Sequence, residues 1–303
     1  MFVDWSRREW SSRYRAEAWR HLQVAHRGAA RETGHVLLLD GNGVDPARVA
    51  VRRLPGRFAL PDAIARASAA GFEALRRGSG GRLHDGPVVR LCGVAPGADG
   101  WSLAWQEAGY FDYARSNLMM DRREGEASLR DLVHADGALP EPGRSHLADA
   151  VGLALLLVTV DGLLVVQRRS RGVSVWPETW GPSAAGMATP EDFEDAPTLA
   201  ALWPLREAAE ELGLDAGLLR ATPVRFLGLT RELARGGAPE MLFAVRLPVD
   251  RQAVLRALEH APDAAEHSEL LFLPLDDRDA LLDRLGDEAA PSLLAGLALL
   301  RPS

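Results

Sequence analysis

Arg206-Glu207-Ala208-Ala209-Glu210-Glu211-Leu212-Gly213-Leu214 is the stretch whose reading decides the fold. Glu207, Glu210 and Glu211 stand at i, i+3 and i+4, which share one face of a helix. Three carboxylates on one face repel one another, so the segment calls for positive charge. Arg206 neutralises one. A divalent cation neutralises more, and magnesium favours a few carboxylates together with waters and substrate phosphates. Gly213 fits the left-handed residue that ends a helix. Ala208 and Ala209 are short enough to let a neighbouring element approach. A glutamate-rich turn taken alone is most often a solvated face, so the surroundings have to decide.

The spelling resembles the second half of the Nudix box, which reads Gly, five residues, Glu, seven residues, then Arg-Glu-U-x-Glu-Glu-x-Gly-U with U aliphatic. Arg206, Glu207, Glu210, Glu211, Gly213 and Leu214 match, and Ala208 is a small member of the aliphatic class. The first half departs. Gly181-Pro182-Ser183-Ala184-Ala185-Gly186-Met187 sits where the family's glycine-rich entry sits. With Gly186 as the box glycine, the first acid falls at Asp192, flanked by Glu191 and Glu194, and about six residues are inserted before Arg206. Which acid replaces the first box glutamate stays open at this point.

The flanking pattern agrees with the family's α/β/α sandwich. Val151–Val160 and Leu163–Arg168 are apolar, β-rich runs joined by Asp161-Gly162, a dipeptide that predicts a tight hairpin with positive φ at both central residues. Val224–Thr230, Met241–Leu247 and Leu270–Leu275 read as strands, Ala253–His260 as a short helix and Arg278–Leu300 as a helical tail. The expected fold is therefore α/β, a Nudix sandwich with a mixed sheet over residues 147–303. A small α+β domain over 35–135 precedes it, with strands at His35–Leu39, Val49–Leu54, Val88–Val94 and Trp101–Trp105 and a helix at Pro61–Arg77. Asp136–Gly143, rich in proline and glycine, reads as the linker. Residues 1–34 read as a basic, tryptophan-rich helical extension carrying Trp5, Trp10 and Trp19.

Composition bounds the chemistry. The 303 residues suggest two domains. All 35 basic residues are arginine, which excludes a Schiff-base lysine and a phosphate-loop lysine. The single cysteine, Cys92, excludes an internal disulfide and a multi-cysteine metal site, and fits a cytoplasmic protein. No run is long enough to span a membrane, and the arginine-rich start lacks the apolar core of a secretory signal. Residues 1–144 hold 21 arginines against 18 acids, and residues 145–303 hold 14 against 24. The acidic second half disfavours nucleic acid as a partner.

The resemblance implies magnesium- or manganese-dependent hydrolysis of a nucleoside diphosphate linked to another group. Glu207, Glu210 and Glu211 would hold the metal. Arg206 would orient a box carboxylate, and Glu266 (alternate Glu269), just before a late strand, would join Glu210 and Glu211 as a candidate proton acceptor. Arg168 and Arg171 are candidate phosphate binders, with Gly186 beside the substrate. Trp176, Trp180 or Trp203 could stack on a base, although core packing is the commoner role. His84, His134, His146, His260 and His267 lack metal spacing.

His35-Val-Leu-Leu-Leu, Leu60-Pro-Asp-Ala-Ile, Asp112-Tyr113 with Asn117, and Leu163-Leu-Val-Val-Gln-Arg-Arg-Ser-Arg look like the two-part Nudix proteins that act as UDP-glucose pyrophosphatases. A nucleotide sugar is therefore the candidate substrate, and family members are often homodimers. The isopentenyl diphosphate isomerase branch needs a cysteine in the loop where this chain has Ser183-Ala184-Ala185. The remaining alternative is a non-catalytic Nudix-fold binding or regulatory module.

Overall fold

The computed structural model describes residues 3, 10, 13–14, 19–81, 83–124, 127–202 and 204–301. Trp5 and Trp203 lie outside the described residues. The strands are β1 (Arg20–His26), β2 (Ala29–Asp40), β3 (Val49–Arg57), β4 (Pro87–Gly97), β5 (Gly100–Gly109), β6 (Arg123–Glu124), β7 (Ala127–Ser128), β8 (Gly152–Val158), β9 (Leu163–Arg169), β10 (Trp180–Gly181), β11 (Ala184–Met187), β12 (Val224–Glu232), β13 (Ala238–Arg246) and β14 (His267–Pro274). The helices are α1 (Asp62–Ala67), α2 (Ala69–Gly78), α3 (Tyr110–Arg115), α4 (Leu129–Val133), α5 (Pro190–Phe193), α6 (Arg206–Leu212), α7 (Ala216–Arg220), α8 (Arg251–Leu258), α9 (Arg278–Leu285) and α10 (Pro291–Leu299). Among the described residues no helix is long and apolar enough to cross a membrane.

The large sheet runs β1-β2-β12-β13-β8-β9-β10, with β11 on β8 and β14 on β9. It is mixed, because β13 and β8 are parallel and their neighbours antiparallel. Strand alternation sorts its apolar residues onto two faces. Leu153, Leu155, Leu157, Val165, Met241 and Phe243 share a core with Ala208 and Leu212 of α6 and with Leu205, which precedes it. Ala154, Leu156, Val158, Val166 and Leu242 pack against α9 and α10 through Leu282, Leu293 and Leu297. Helices therefore cover both faces, as the sequence predicts.

Two expectations about the N-terminal half are corrected. Within the expected helical extension, the residues from Arg20 onward form strands β1 and β2. The run His35–Leu39 lies inside β2 and pairs with β12 of the large sheet, so the boundary at 34/35 cuts through a strand. Short-range patterning registers a strand but not the sheet it joins. The β3-β5-β4 sheet is real, yet Val49, Val89, Leu91, Leu103 and Trp105 belong to the same apolar core as α6.

That shared core accounts for the length of the segment between Gly186 and Arg206. Between Gly186 and Arg206 the chain forms α5 and then runs along the small sheet. Phe193 meets Trp105 edge to face at 5.6 Å, Arg53 pairs with Glu194 at 2.6 Å, and Val51 N–H donates to Pro197 O at 3.0 Å.

The β8–β9 hairpin also differs in detail. Gly162 N–H donates to Thr159 O at 2.9 Å, and Gly162 has φ 81, while Asp161 is not in the left-handed region. One left-handed glycine after a turn, rather than two left-handed residues within it, closes the loop. Beyond Val158–Leu164 the two strands separate. The Ser183 hydroxyl fills the gap, accepting from Leu157 N–H at 2.8 Å and donating to Val165 O. β11 then enters beside β8 and carries Gly186 under α6.

Candidate active site

Helix α6 places Glu207, Glu210 and Glu211 as their spacing predicts, and Gly213 ends it with φ 66. Arg206 gathers the acids. Its guanidinium donates to Glu207 Oε1 and to Glu210 Oε2, each at 2.7 Å, and its Nε lies 3.5 Å from Asp192 Oδ1. The acid that faces Arg206 from the segment between Gly186 and Arg206 is thus Asp192, whose other oxygen caps α5 through Thr189 N–H at 2.8 Å. Glu191 and Glu194 are exposed.

Glu211 lies beneath this layer, 2% exposed. Gln167 Nε2 donates to its Oε2 at 2.8 Å and Ala185 N–H to its Oε1 at 3.1 Å. Burial pushes its pKa up to about 8, against the pull of Arg169. Burial likewise pushes Glu207 up to about 7, with Arg206 opposing. Gly186 is the contact surface for Glu207. A Cβ built there overlaps the Glu207 carboxyl carbon and both its oxygens, so only glycine admits the carboxylate. This donor set suits a hard divalent cation. It comprises three oxygen-bearing side chains crowded on one helical turn, two of them destabilised as anions, with a single guanidinium among them.

Beside α6 opens a cavity of about 1090 Å³ lined from both halves of the chain. Its lining includes Arg169, Gly186, Arg206, Glu207 and Glu266 from the second half of the chain and Leu75, Leu83, His84, Tyr110 and Tyr113 from the first. Glu266 is part of the lining, and partial burial raises its pKa. Its backbone oxygen accepts from Ser170 N–H at 2.8 Å, and Asp263 N–H is bonded to Glu210 O at 2.9 Å, which fastens this loop to α6. Glu269 is exposed and stays outside the cavity lining.

The arginine expectations are corrected in part. Arg168 turns to the opposite sheet face, paired with Glu288 at 2.7 Å and lying over the Trp180 ring. The cause is the two-residue period of β9. Gln167 and Arg169 face the site, so Arg168 cannot. Arg169 is held by Nε donating to Val175 O at 2.9 Å and lines the cavity. Arg171 lines the mouth, largely exposed and paired with Glu178 at 2.8 Å. Trp176 forms cavity wall, its indole N–H donating to Glu232 Oε1 at 2.8 Å. Trp180 is core.

Sequence reasoning passed over a second polar cluster deeper in the same cavity. Glu232, Arg235 and Glu240 line it, with His35 packed behind. Arg235 Nε donates to Glu232 Oε2 at 2.7 Å and Nη1 to Tyr113 OH at 2.7 Å. His35, Glu232 and Glu240 each offer a ligand-type atom within 4.8 Å of the others. Burial pushes His35 down to about 4 and Glu240 up to about 7. These residues come from three neighbouring strands, β2, β12 and β13. Only the register, Glu232 opposite His35 and Thr230 opposite Glu240, brings them together.

No family model and no curated protein matches the chain. Solved structures do resemble it over about half its length. DR0079 from Deinococcus radiodurans is 21% identical, with 49% of this chain and 80% of that chain covered and a TM-score of 0.33. The MutT protein from Methanosarcina mazei Go1 is 16% identical, covering 49% and 89%, with a TM-score of 0.29. Tm1382, provisionally named a Nudix hydrolase, is 16% identical, covering 50% and 71%, with a TM-score of 0.30.

Proposed function

We propose that this chain is a Nudix-type hydrolase that cleaves the diphosphate linkage of a nucleoside diphosphate joined to another group, with magnesium or manganese as cofactor. The observation that carries this reading is the placement of Glu207, Glu210 and Glu211 along α6, with Arg206 bonded to Glu207 and Glu210, and with Glu207 seated on Gly186 in the lining of the cavity. A divalent cation held by the three glutamates would neutralise diphosphate charge and acidify the attacking water. Diphosphate hydrolysis asks the protein mainly for positioning and charge.

The residues divide that work. Arg206 fixes the Glu207 and Glu210 carboxylates. Gln167 and Ala185 N–H fix Glu211. Arg169 presents its guanidinium to a phosphate, a match of planar donors to phosphate oxygens, and Arg171 assists at the mouth. Glu266, its affinity for a proton raised by burial, accepts the proton of the water that attacks phosphorus as the bridging P–O bond breaks. The cavity reaches well beyond a diphosphate, and Tyr110, Leu75 and Leu83 supply an apolar wall for what lies on either side of it. A nucleotide sugar such as UDP-glucose is the substrate we favour, on the two-part pattern of the sequence.

The test is a panel of UDP-glucose, ADP-ribose, dinucleotides and nucleoside triphosphates incubated with magnesium or manganese, with products separated by chromatography. Release of a nucleoside monophosphate and a sugar phosphate from UDP-glucose supports the reading. Preference for another member corrects the substrate. No turnover of any member with either metal overturns the enzyme in favour of a binding module.

A further inference from the structure

His35, Glu232 and Glu240 come from three strands, β2, β12 and β13, and each brings a ligand-type atom within 4.8 Å of the other two. All three are buried, with relative exposures of 0%, 1% and 5%. Two of their atoms have no hydrogen-bond partner, His35 Nε2 and Glu240 Oε2, and these lie 3.5 Å apart. That separation exceeds the roughly 3.2 Å reach of a good N–H···O bond. It matches two donors of one tetrahedral zinc ion, because bonds of about 2.1 Å at the tetrahedral angle set their ends about 3.4 Å apart.

The neighbours leave these two atoms over. Arg235 brings Nε and Nη2 to Glu232 Oε2 at 2.7 and 2.5 Å and donates Nη1 to Tyr113 OH at 2.7 Å. Its Nη2 stops 3.9 Å from Glu240 Oε2. Two carboxylates thus share one guanidinium, and a buried charge without its own partner is costly. The side chains are also oriented from behind. Thr230 Oγ1 holds His35 Nδ1 at 2.9 Å, and whichever of the two carries that hydrogen, Nε2 is the nitrogen without a partner. Fixing one ring nitrogen so that the other meets a metal is the usual arrangement at histidine metal sites. Trp176 Nε1 fixes Glu232 Oε1 at 2.8 Å, and that oxygen keeps a second lone pair.

We propose that His35, Glu232 and Glu240 form a site for a zinc-type divalent cation, separate from the carboxylates of α6 and completed where β2 joins β12 and β13. One imidazole with two carboxylates is a mixed nitrogen and oxygen donor set, which suits zinc better than an ion that seeks thiolates or oxygen alone. Glu232 and Glu240 line the cavity, so the ion enters from that side, and a fourth position is left to water. His35 belongs to the first half of the chain and the glutamates to the second, so bound metal stabilises the junction between them. The inference stands on this cluster alone and not on the reading of the cavity as a diphosphate site.

Zinc titration of the metal-free full chain carrying Glu210→Gln tests the site, because that change removes a carboxylate from α6 and leaves the cluster whole. The expected result is tight binding of zinc, with an X-ray absorption spectrum at the zinc edge that shows a single imidazole among oxygen donors. Arg206, Gln167 and Ala185 are the groups bonded to the α6 glutamates, and none is an imidazole, so this signature separates the two places. Zinc held by oxygen alone, by more than one imidazole, or not at all at micromolar concentration overturns the proposal.

His35→Gln and Glu240→Gln, each added to the same parent, locate the ion. Each should lower zinc affinity by more than about tenfold, the least that even an outer partner of a metal ligand usually costs. His35→Gln should also erase the imidazole signal. Zinc should raise the thermal unfolding midpoint of the parent and of neither variant. Circular dichroism shows whether each variant is folded, and if neither is, the parent's absorption spectrum decides alone. Unchanged zinc affinity in a folded variant overturns the proposal. Magnesium-dependent hydrolysis is read separately in the wild type, so failure of one reading leaves the other standing.

Discussion

Glu211→Gln is expected to make the metal-free protein more stable while abolishing its activity. Glu211 is almost fully buried, and its carboxyl is pushed from an ordinary 4.5 up to about 8. At pH 7 the folded protein therefore keeps a proton that the unfolded chain has released. Each pH unit above the unfolded pKa adds about 1.4 kcal/mol of cost to folding until the folded pKa is reached. From 4.5 to 7 this comes to about 3 kcal/mol, absent below pH 4.5 and at its maximum above pH 8. Glutamine removes the titration and keeps the hydrogen bonds. Ala185 N–H still finds a carbonyl oxygen, and Gln167, whose Oε1 has no partner, can turn its amide to accept from the new NH₂. Urea unfolding of metal-free wild type and variant at several pH values measures the difference. The reasoning is refuted if the variant is less stable at pH 7, or if the difference does not grow between pH 5 and 8. Magnesium should reverse the order by stabilising the wild type alone.

Three further outcomes follow from the same contacts. Gly186→Ala forces the Glu207 carboxylate off its seat, which should cost about 1–3 kcal/mol in urea unfolding and depress kcat. Arg169→Met should raise KM for a diphosphate substrate more than it lowers kcat, while Arg168→Met, on the other face of β9, should leave both unchanged. Gly213→Ala places a Cβ onto Ala257 O in a left-handed residue, and should lower stability by about 1–3 kcal/mol while sparing the residual folded enzyme's KM.

What was legible in the sequence was what short-range spacing encodes. The i, i+3, i+4 glutamates, the glycine that ends α6 and the apolar runs of β8, β9, β12 and β13 all sit where periodicity put them. Arg168 shows the limit. The right strand was chosen, but a one-residue error in phase moves a side chain to the opposite face, and an apolar run buried on both sides gives no alternation to set the phase. The length of the segment between Gly186 and Arg206 could be counted but not explained, because α5 and the residues after it dock onto β3 and β5. The His35–Glu232–Glu240 cluster depends on the register of three strands drawn from distant parts of the chain. No local pattern marks it, and His35 sits in the sequence as one polar residue ahead of an apolar run.

The most direct test of the account is magnesium-dependent turnover of the preferred diphosphate substrate by wild type and by Glu210→Gln, a change at a partly exposed position that spares the buried Glu211. The account predicts saturable dependence on magnesium in the wild type, and in the variant a loss of more than about tenfold in kcat that extra magnesium does not restore. Equal turnover by the two proteins, or turnover independent of added metal and of chelator, would contradict it.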